Sequence, residues 1–448
     1  MVHRGNPAAM RAAKLMEQLN ATGKRQLISK LLLVAAIPRL LFVLATPWLS
    51  RRPFGGEGYD GYLQVATNIV TEGTFAVAPH HLLSRPPLYP LLLAPGVAFG
   101  IPILWTYTLQ VVLGVATVLF VFLAICEVCQ SRALAFGCAA WFAIDPWLIW
   151  CTKNPMPPVT STFVMSAIVL VYVKGIRSHS LAIYRFIGLG ALAAIAALIH
   201  PALLPMVAGI VAGQFLAIHG KHLFMVTSLR AVAIVAGFVL VLSPWLARNY
   251  ALTGRPVASV DTAGFTYFAS QVAYNGTLKP NPFEFSEVAS HLNVSVADLD
   301  VQYFTIKDEY NARLNKLAAA DIVTGHWSFL NLAKRCTIQI IWLWLGAEGL
   351  MLSAAHLVYL LPIFALLTRA IARGFFLDVL VMLIVIVPTT CVHLVSMNII
   401  PHATYSMPLL VPILVAAAIC SKGALSAGIL RDNRESSSDG RNTAVLAK

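Results

Sequence analysis

Ile103-Leu-Trp-Thr-Tyr-Thr-Leu-Gln-Val-Val-Leu-Gly-Val-Ala-Thr-Val-Leu-Phe-Val-Phe-Leu-Ala-Ile125 contains no charged residue. A hydrocarbon core about 30 Å thick is crossed by roughly 20 apolar residues in helical form, so the stretch reads as a transmembrane helix. Working outward, the windows 154–173, 231–246, 379–400 and 403–420 are equally free of charge. Across all 448 residues, 58% are hydrophobic and 11% charged, and the mean hydropathy is +0.76. Such a composition excludes an ordinary soluble enzyme.

The net charge of +13 points inward rather than to nucleic acid. Its carriers are spread over short segments: Arg11, Lys14, Lys24 and Arg25 first, then Arg132, Lys174, Arg177, Lys221, Arg230, Arg369 and Arg373, and finally Arg431 and Arg434. Placing these on the cytoplasmic side satisfies the positive-inside rule and leaves no single basic face for a nucleic acid. Seven cysteines make an odd number, and Cys126 and Cys129 share a helix face at i, i+3, so no disulfide framework is implied. The apolar stretch 31–49 has the look of a signal peptide, but further hydrophobic segments follow, and it reads as a retained first span.

The expected architecture is an all-α polytopic membrane protein of about ten transmembrane helices, multi-pass in the bilayer. A cytoplasmic segment 1–27 leads into a membrane domain 28–430 with outer loops 48–102 and 248–350, and a polar, Ser-rich tail 431–448 reads as disordered. Helix one covers 28–47. In the first outer loop, 59–71 reads as an interfacial helix with Tyr62, Val65, Ala66, Ile69 and Val70 on one face, ended by Gly73. Helices two to seven centre near Val115, Ala140, Ala167, Ala193, Gly209 and Val235, with Pro201 beside His200 breaking the uncharged run 186–218. The polar region 248–327 carries eight of the 19 acidic residues. Ser295 and Asp298 read there as a capping box opening a helix that ends near Gly325, lined by Leu299, Tyr303, Ile306, Tyr310, Leu314 and Leu317. Lys334 and Arg335 interrupt 327–345, which reads as non-spanning or re-entrant. Helices eight to ten centre near Leu360, Val387 and Val411.

The chemistry collects in the first outer loop, as Glu57-Gly-Tyr-Asp60-Gly-Tyr62 and Arg85-Pro-Pro-Leu-Tyr89-Pro90. An Asp at the start of an interfacial helix either caps it or serves as a base near water. A guanidinium at the interface either anchors on lipid headgroups or grips phosphate oxygens with its fork. Glu57 either is solvated or shares the work of Asp60. Two further segments are Ser243-Pro-Trp-Leu-Ala-Arg-Asn-Tyr250, followed by Gly254, and His402-Ala-Thr-Tyr405-Ser-Met-Pro408.

Together these segments resemble the GT-C glycosyltransferases, in particular the branch of protein O-mannosyltransferases and bacterial aminoarabinose and galacturonic acid transferases. The resemblance covers most of the chain by layout and about thirty residues by motif. It implies a GT-C fold and transfer of a sugar, with inversion, from a polyprenyl (undecaprenyl) phosphate donor to an extracytoplasmic acceptor. That acceptor would be an envelope glycan such as lipid A or core lipopolysaccharide, or a protein. It further implies an active site on the periplasmic face of the inner (plasma) membrane, Asp60 as base with Glu57 beside it, and Arg85 on the donor phosphate. Tyr62 and Tyr89 would shape the pocket. Lys153, His200, Arg248, His393 and His402 are further cationic candidates near the outer ends of helices, where anchors are also common. Thr404 stands where the family often has an Arg, so one phosphate contact departs from its pattern.

No Gly-rich phosphate loop occurs, which argues against a nucleotide-sugar donor. His80 and His81 have no ligand-spaced partners, so no metal and no cofactor are expected beyond the lipid-linked sugar itself. Arg39, inside helix one, must face protein or snorkel. A lipid-linked sugar transporter or flippase is the competing reading, disfavoured by the absence of an internal repeat and by polar groups gathered at one face.

Overall fold

The computed structural model describes residues 23–49, 61–129, 131–177, 182–217, 222–273, 285–302, 305–324, 350–372, 374–390 and 407–418. Among these the architecture is helical throughout, with one isolated antiparallel bridge between Gln302 and Thr305. The helices are α1 (Lys24–Leu49), α2 (Tyr62–Glu72), α3 (Leu88–Ala98), α4 (Pro102–Val128), α5 (Arg132–Ala143), α6 (Pro146–Cys151), α7 (Pro158–Arg177) and α8 (Ile183–Ile199). After a 3-10 turn at Pro201–Leu203 come α9 (Met206–Leu216), α10 (His222–Thr253), α11 (Ala263–Ala273), α12 (Phe285–Leu292) and α13 (Asp308–Thr324). The chain closes with α14 (Leu350–Ala372), α15 (Phe376–Leu383) and α16 (Met407–Ala418).

Four of these helices contain segments long and apolar enough to cross a membrane: Lys24–Ala45, Pro102–Val128, Pro158–Ile176 and Phe224–Thr253. Three of them, α1, α4 and α10, carry large exposed apolar side chains, such as Leu41 at 61%, Leu104 at 61% and Leu240 at 69% exposed, whereas α7 is packed inside the bundle. Exposure on that scale suits hydrocarbon rather than water. Inside, one continuous core joins α1, α4, α5, α6, α7, α8, α14 and α16 through residues such as Phe122, Phe142, Trp147, Tyr172 and Leu414.

Small residues set the closest crossing. A Cβ on Gly190 of α8 would overlap the carbonyl oxygen of Ile234 in α10, and one on Gly237 of α10 would overlap that of Ile187. With no hydrophobic gain from leaving lipid, membrane helices associate through such close backbone packing. As expected from Pro201, α8 ends at Ile199 and the chain turns through extended His200 before α9 resumes.

The span expected near Ala140 is broken, because α5 stops at Ala143 and α6 starts at Pro146. Arg39 repairs the break from α1: its Nη1 donates to Ala35 O and Ala143 O, both at 2.8 Å. Asp145 caps α6, accepting from Leu148 N at 2.8 Å. Arg39 is 1% exposed, so it faces protein rather than snorkelling.

The described residues of the region 255–324 have their own small core, built from α11, α12 and α13 around Phe265, Phe268, Val288, Leu292, Leu299, Ile306 and Leu314. Here one sequence expectation needs correction. Ser295 and Asp298 do exchange the capping-box hydrogen bonds, Ser295 N to Asp298 Oδ2 at 3.0 Å and Asp298 N to Ser295 Oγ at 3.2 Å. They close a single turn, however, and the helix begins only at Asp308. Asp300 takes a left-handed backbone, φ 50°, and the Gln302–Thr305 bridge follows, which together divert the chain before a helix can propagate.

Candidate functional site

Gly61 sets up the site. It adopts φ 73°, a left-handed conformation that costs glycine little, and so turns the chain sharply into α2. Tyr62, Val65 and Ala66 bury the expected face of α2, whereas Val70 stays 40% exposed. The helix is rotated from the expected pose because Asn68 also turns inward, donating to Ala76 O at 2.9 Å and Val77 O at 3.1 Å.

Tyr62, Arg85 and Tyr89 come together in the structure. The rings of Tyr62 and Tyr89 meet edge to face, 5.3 Å between centroids at 84°. The Arg85 guanidinium lies over the Tyr62 ring at 5.4 Å and donates to Ser84 O at 2.8 Å. Tyr89 is fully buried, and its hydroxyl accepts from Gln110 Nε2 of α4 at 3.0 Å. The same Nε2 also donates to the carbonyl of Asn154 and, at 3.4 Å, to that of Met156. Gln110 thereby ties the aromatic pair to the turn that carries Lys153. Lys153 is 6% exposed, with its ammonium 5.2 Å from the Phe42 ring centre on α1. Four residues spread over 91 positions of sequence thus share one end of the helices.

Arg248 is bonded to the segment ahead of Arg85. Its Nη2 donates to Phe75 O at 2.9 Å, and its Nη1 donates to Leu82 O at 3.3 Å and to Asn249 Oδ1 at 2.9 Å. Its guanidinium also lies 4.4 Å from the Trp245 ring. These contacts bind the segment 75–84 to the end of α10, just ahead of Arg85. His200 occupies the break beyond α8, and Leu88 at the start of α3 packs on the apolar cluster of Ala194, Leu198 and Leu242 below it. Asp60, Glu57, His393 and His402 lie outside the described residues.

The region 255–324 grips the same segment. Asp308, first residue of α13, accepts from Leu82 N at 2.7 Å and Leu83 N at 3.3 Å, and its own N–H donates to His80 O at 3.0 Å. Asp261 N donates to Leu83 O at 3.1 Å. His81 is fully buried, its Nδ1 3.0 Å from Thr305 Oγ1 and its Nε2 3.8 Å from Asp300 Oδ2. Burial pushes the Asp308 carboxyl up to about 6, against the pull of the two backbone N–H groups, and lowers the His81 imidazole below its usual range. Asp261 is also raised by burial, and Arg255 at 2.7 Å opposes that. Between these elements opens a mixed-charge cleft of about 410 Å³, lined by His80, Arg255, Lys307, Asp308 and Glu309 among others.

The motifs did not mark Gln110, Asn154, Asp308 or Asp145 as site residues. Gln110 interrupts an otherwise apolar helix face, and Asn154 adjoins Lys153 in an uncharged window; those were the available signals. The loop segment 75–84 has a plain sequence, and apart from Asn68 its anchors come from positions 166 to 228 residues later, Arg248 to Leu82 and Asp308 to His80 being the extremes. No family model, curated protein or solved structure matches the chain.

Proposed function

We propose that the chain is a GT-C-type membrane glycosyltransferase of about ten spans. It transfers a sugar from a polyprenyl phosphate, with inversion, to a glycan, lipid or protein acceptor at the outer face of the inner membrane. Asp60 takes the acceptor's proton as general base and Glu57 assists. The cation at Arg85 stabilises the charge that develops on the departing phosphate, and Lys153 adds a second positive charge at the same end of the helices. Arg248 acts by holding the Arg85 loop, not by touching phosphate.

One observation carries this reading. Tyr62, Arg85 and Tyr89, which the motifs nominate, and Lys153, one of the further cationic candidates, are linked through ring contacts and Gln110. An interfacial anchor would need only Arg85 and lipid; it would not need a buried tyrosine pair and a buried lysine behind it.

The test is sugar transfer in proteoliposomes. Purified wild type, Asp60→Asn and Arg85→Ala are compared with radiolabelled polyprenyl-phosphate sugars and membrane acceptor extract. The expected result is transfer by wild type, loss of turnover with retained donor binding in Asp60→Asn, and weakened donor binding in Arg85→Ala. Movement of labelled lipid across the bilayer without any product refutes the enzyme and makes the chain a flippase.

A further inference from the structure

Among the described residues, several buried polar atoms of the helical bundle have no hydrogen-bond partner, and five of them fall on α4, the turn that leads into α7 and the start of α7. Hydroxyls in these apolar helices are generally satisfied one turn back: Thr106 bonds Pro102 O at 2.8 Å, Thr117 bonds Leu113 O at 2.7 Å and Thr162 bonds Pro158 O at 2.7 Å. Thr160 and Ser161, in the first turn of α7, are 2% and 1% exposed, yet neither hydroxyl has a partner among the described residues. Asn154, 3% exposed, has neither its Nδ2 nor its Oδ1 bonded. Fully buried Gln110 spends its Nε2 on Tyr89 and on the Asn154 turn, which leaves its Oε1 without a donor. Five such atoms lie between the outer half of α4 and the start of α7.

An unsatisfied buried polar atom costs about 1–3 kcal/mol, and lipid offers no water to relieve it. Carried by the short stretch 154–161 and by the helix residue bonded to it, these atoms point to a bound group, and their polarity identifies its chemistry. Two amide oxygens only accept, one amide nitrogen only donates, and two hydroxyls do either. A phosphate brings acceptors alone and would set its oxygens against both amide oxygens. Sugar hydroxyls both donate and accept, and match the whole set. The buried Tyr89 ring, held by the same Gln110, supplies an apolar neighbour for a pyranose face.

We propose that Gln110, Asn154, Thr160 and Ser161 form a seat for the hydroxyls of a hexose ring, which is the sugar carried by the lipid-phosphate donor. This assignment rests on the glycosyltransferase reading for the identity of the donor. It divides the labour: neutral groups beside Tyr89 hold the sugar, and Arg85 and Lys153 hold the charge.

The full chain in lipid nanodiscs tests it, with citronellyl phosphoglucose, phosphogalactose and phosphomannose as sugar-bearing probes and citronellyl phosphate as the sugarless one. Binding is measured by calorimetry for wild type, Thr160→Val and Asn154→Leu, and transfer is assayed in parallel. Wild type is expected to prefer at least one sugar-bearing probe over citronellyl phosphate. Each variant is expected to lose about tenfold in affinity for that probe, the size of one or two lost hydrogen bonds, while its affinity for citronellyl phosphate changes less than twofold. Because the deleted groups have no protein partner, both variants are expected to melt no lower than wild type without ligand, which excludes misfolding as the cause.

The seat is overturned if wild type binds all four probes alike, or if neither variant weakens the sugar-bearing probe, the result for groups that hold only water. Transfer by wild type with unchanged KM in both variants removes the seat and leaves the enzyme. Sugar-selective binding lost in the variants, with no transfer by wild type to any acceptor, keeps the seat and removes the enzyme.

Discussion

Replacing Gly190 by alanine puts a methyl group where α8 and α10 have no room. The added Cβ overlaps Ile234 O and lies 2.7 Å from the Ile234 carbonyl carbon and 2.9 Å from Phe238 N, all of them backbone atoms that cannot rotate aside. Ordinary contact begins at 3.4 Å, so α10 has to retreat by more than half an ångström along the crossing. Its packing against α8 then loosens at neighbouring positions too, since dispersion falls steeply over such a gap. Overpacking of this kind costs about 1–3 kcal/mol. Gly237→Ala meets Ile187 in the same way from the other helix and carries a similar cost. Gly188, two residues away on α8, has nothing within 4 Å of a built Cβ, so Gly188→Ala is expected to be neutral or stabilising by up to about 1 kcal/mol. Unfolding free energies in mixed micelles titrated with SDS separate the two cases. Equal stability of Gly190→Ala and Gly188→Ala would refute the close crossing and the packing derived from it. The double variant Gly190→Ala/Gly237→Ala should cost less than the two single costs added, because one retreat of α10 relieves both overlaps.

Three other outcomes follow from the loop ahead of Arg85 and from the broken span. Arg248→Met removes charge-assisted bonds to Phe75 O and Leu82 O, and at about 1.5 kcal/mol or more each it should raise amide exchange of residues 75–84 at least tenfold, measured by mass spectrometry. Asp308 titrates near 6 in the folded chain against 3.8 ordinarily, so its contribution to stability is largest below pH 3.8 and is lost as pH rises through about 6. With a half-buried carboxyl the span of this effect is about 1–2 kcal/mol after solvent screening, and Asp308→Asn should flatten it in unfolding measured from pH 4 to 7. Gly114→Ala sets a Cβ 2.7 Å from Arg39 Nε, whose Nη1 is already tied to Ala35 O and Ala143 O. It should destabilise by about 1–3 kcal/mol in the same micelle assay, and an unchanged midpoint would show that Arg39 is free to yield.

The spans were legible because bilayer thickness imposes a length and a polarity that single residues reveal. α4, α7 and the break at Pro201 fall where uncharged windows and a proline placed them. The interfacial helix was legible for the same reason, as an apolar stripe between a turn and Gly73, although its rotation was not. Asn68 fixes that rotation by bonding carbonyls of a loop whose path no periodicity encodes. The helix assigned to Ser295 failed because a capping box satisfies backbone donors equally well in an isolated turn, and only the following φ of Asp300 decides whether a helix continues.

By itself, then, the sequence determined the apolar surroundings of this protein, the position of its longest apolar helices and the presence of Tyr62, Arg85 and Tyr89 within one loop region. These follow from local composition, where each residue adds its own transfer free energy. The tertiary structure decided which charges are spent on the fold. Arg39 closes a break in a different helix, and Arg248 and Asp308 hold one loop from opposite sides, through partners more than 100 residues away in sequence. It also decided that Gln110 and Asn154 meet beside Tyr89 with hydrogen-bonding capacity to spare. A side chain's partners depend on which backbones fold next to it, and that proximity is a property of the packed bundle, not of any segment alone.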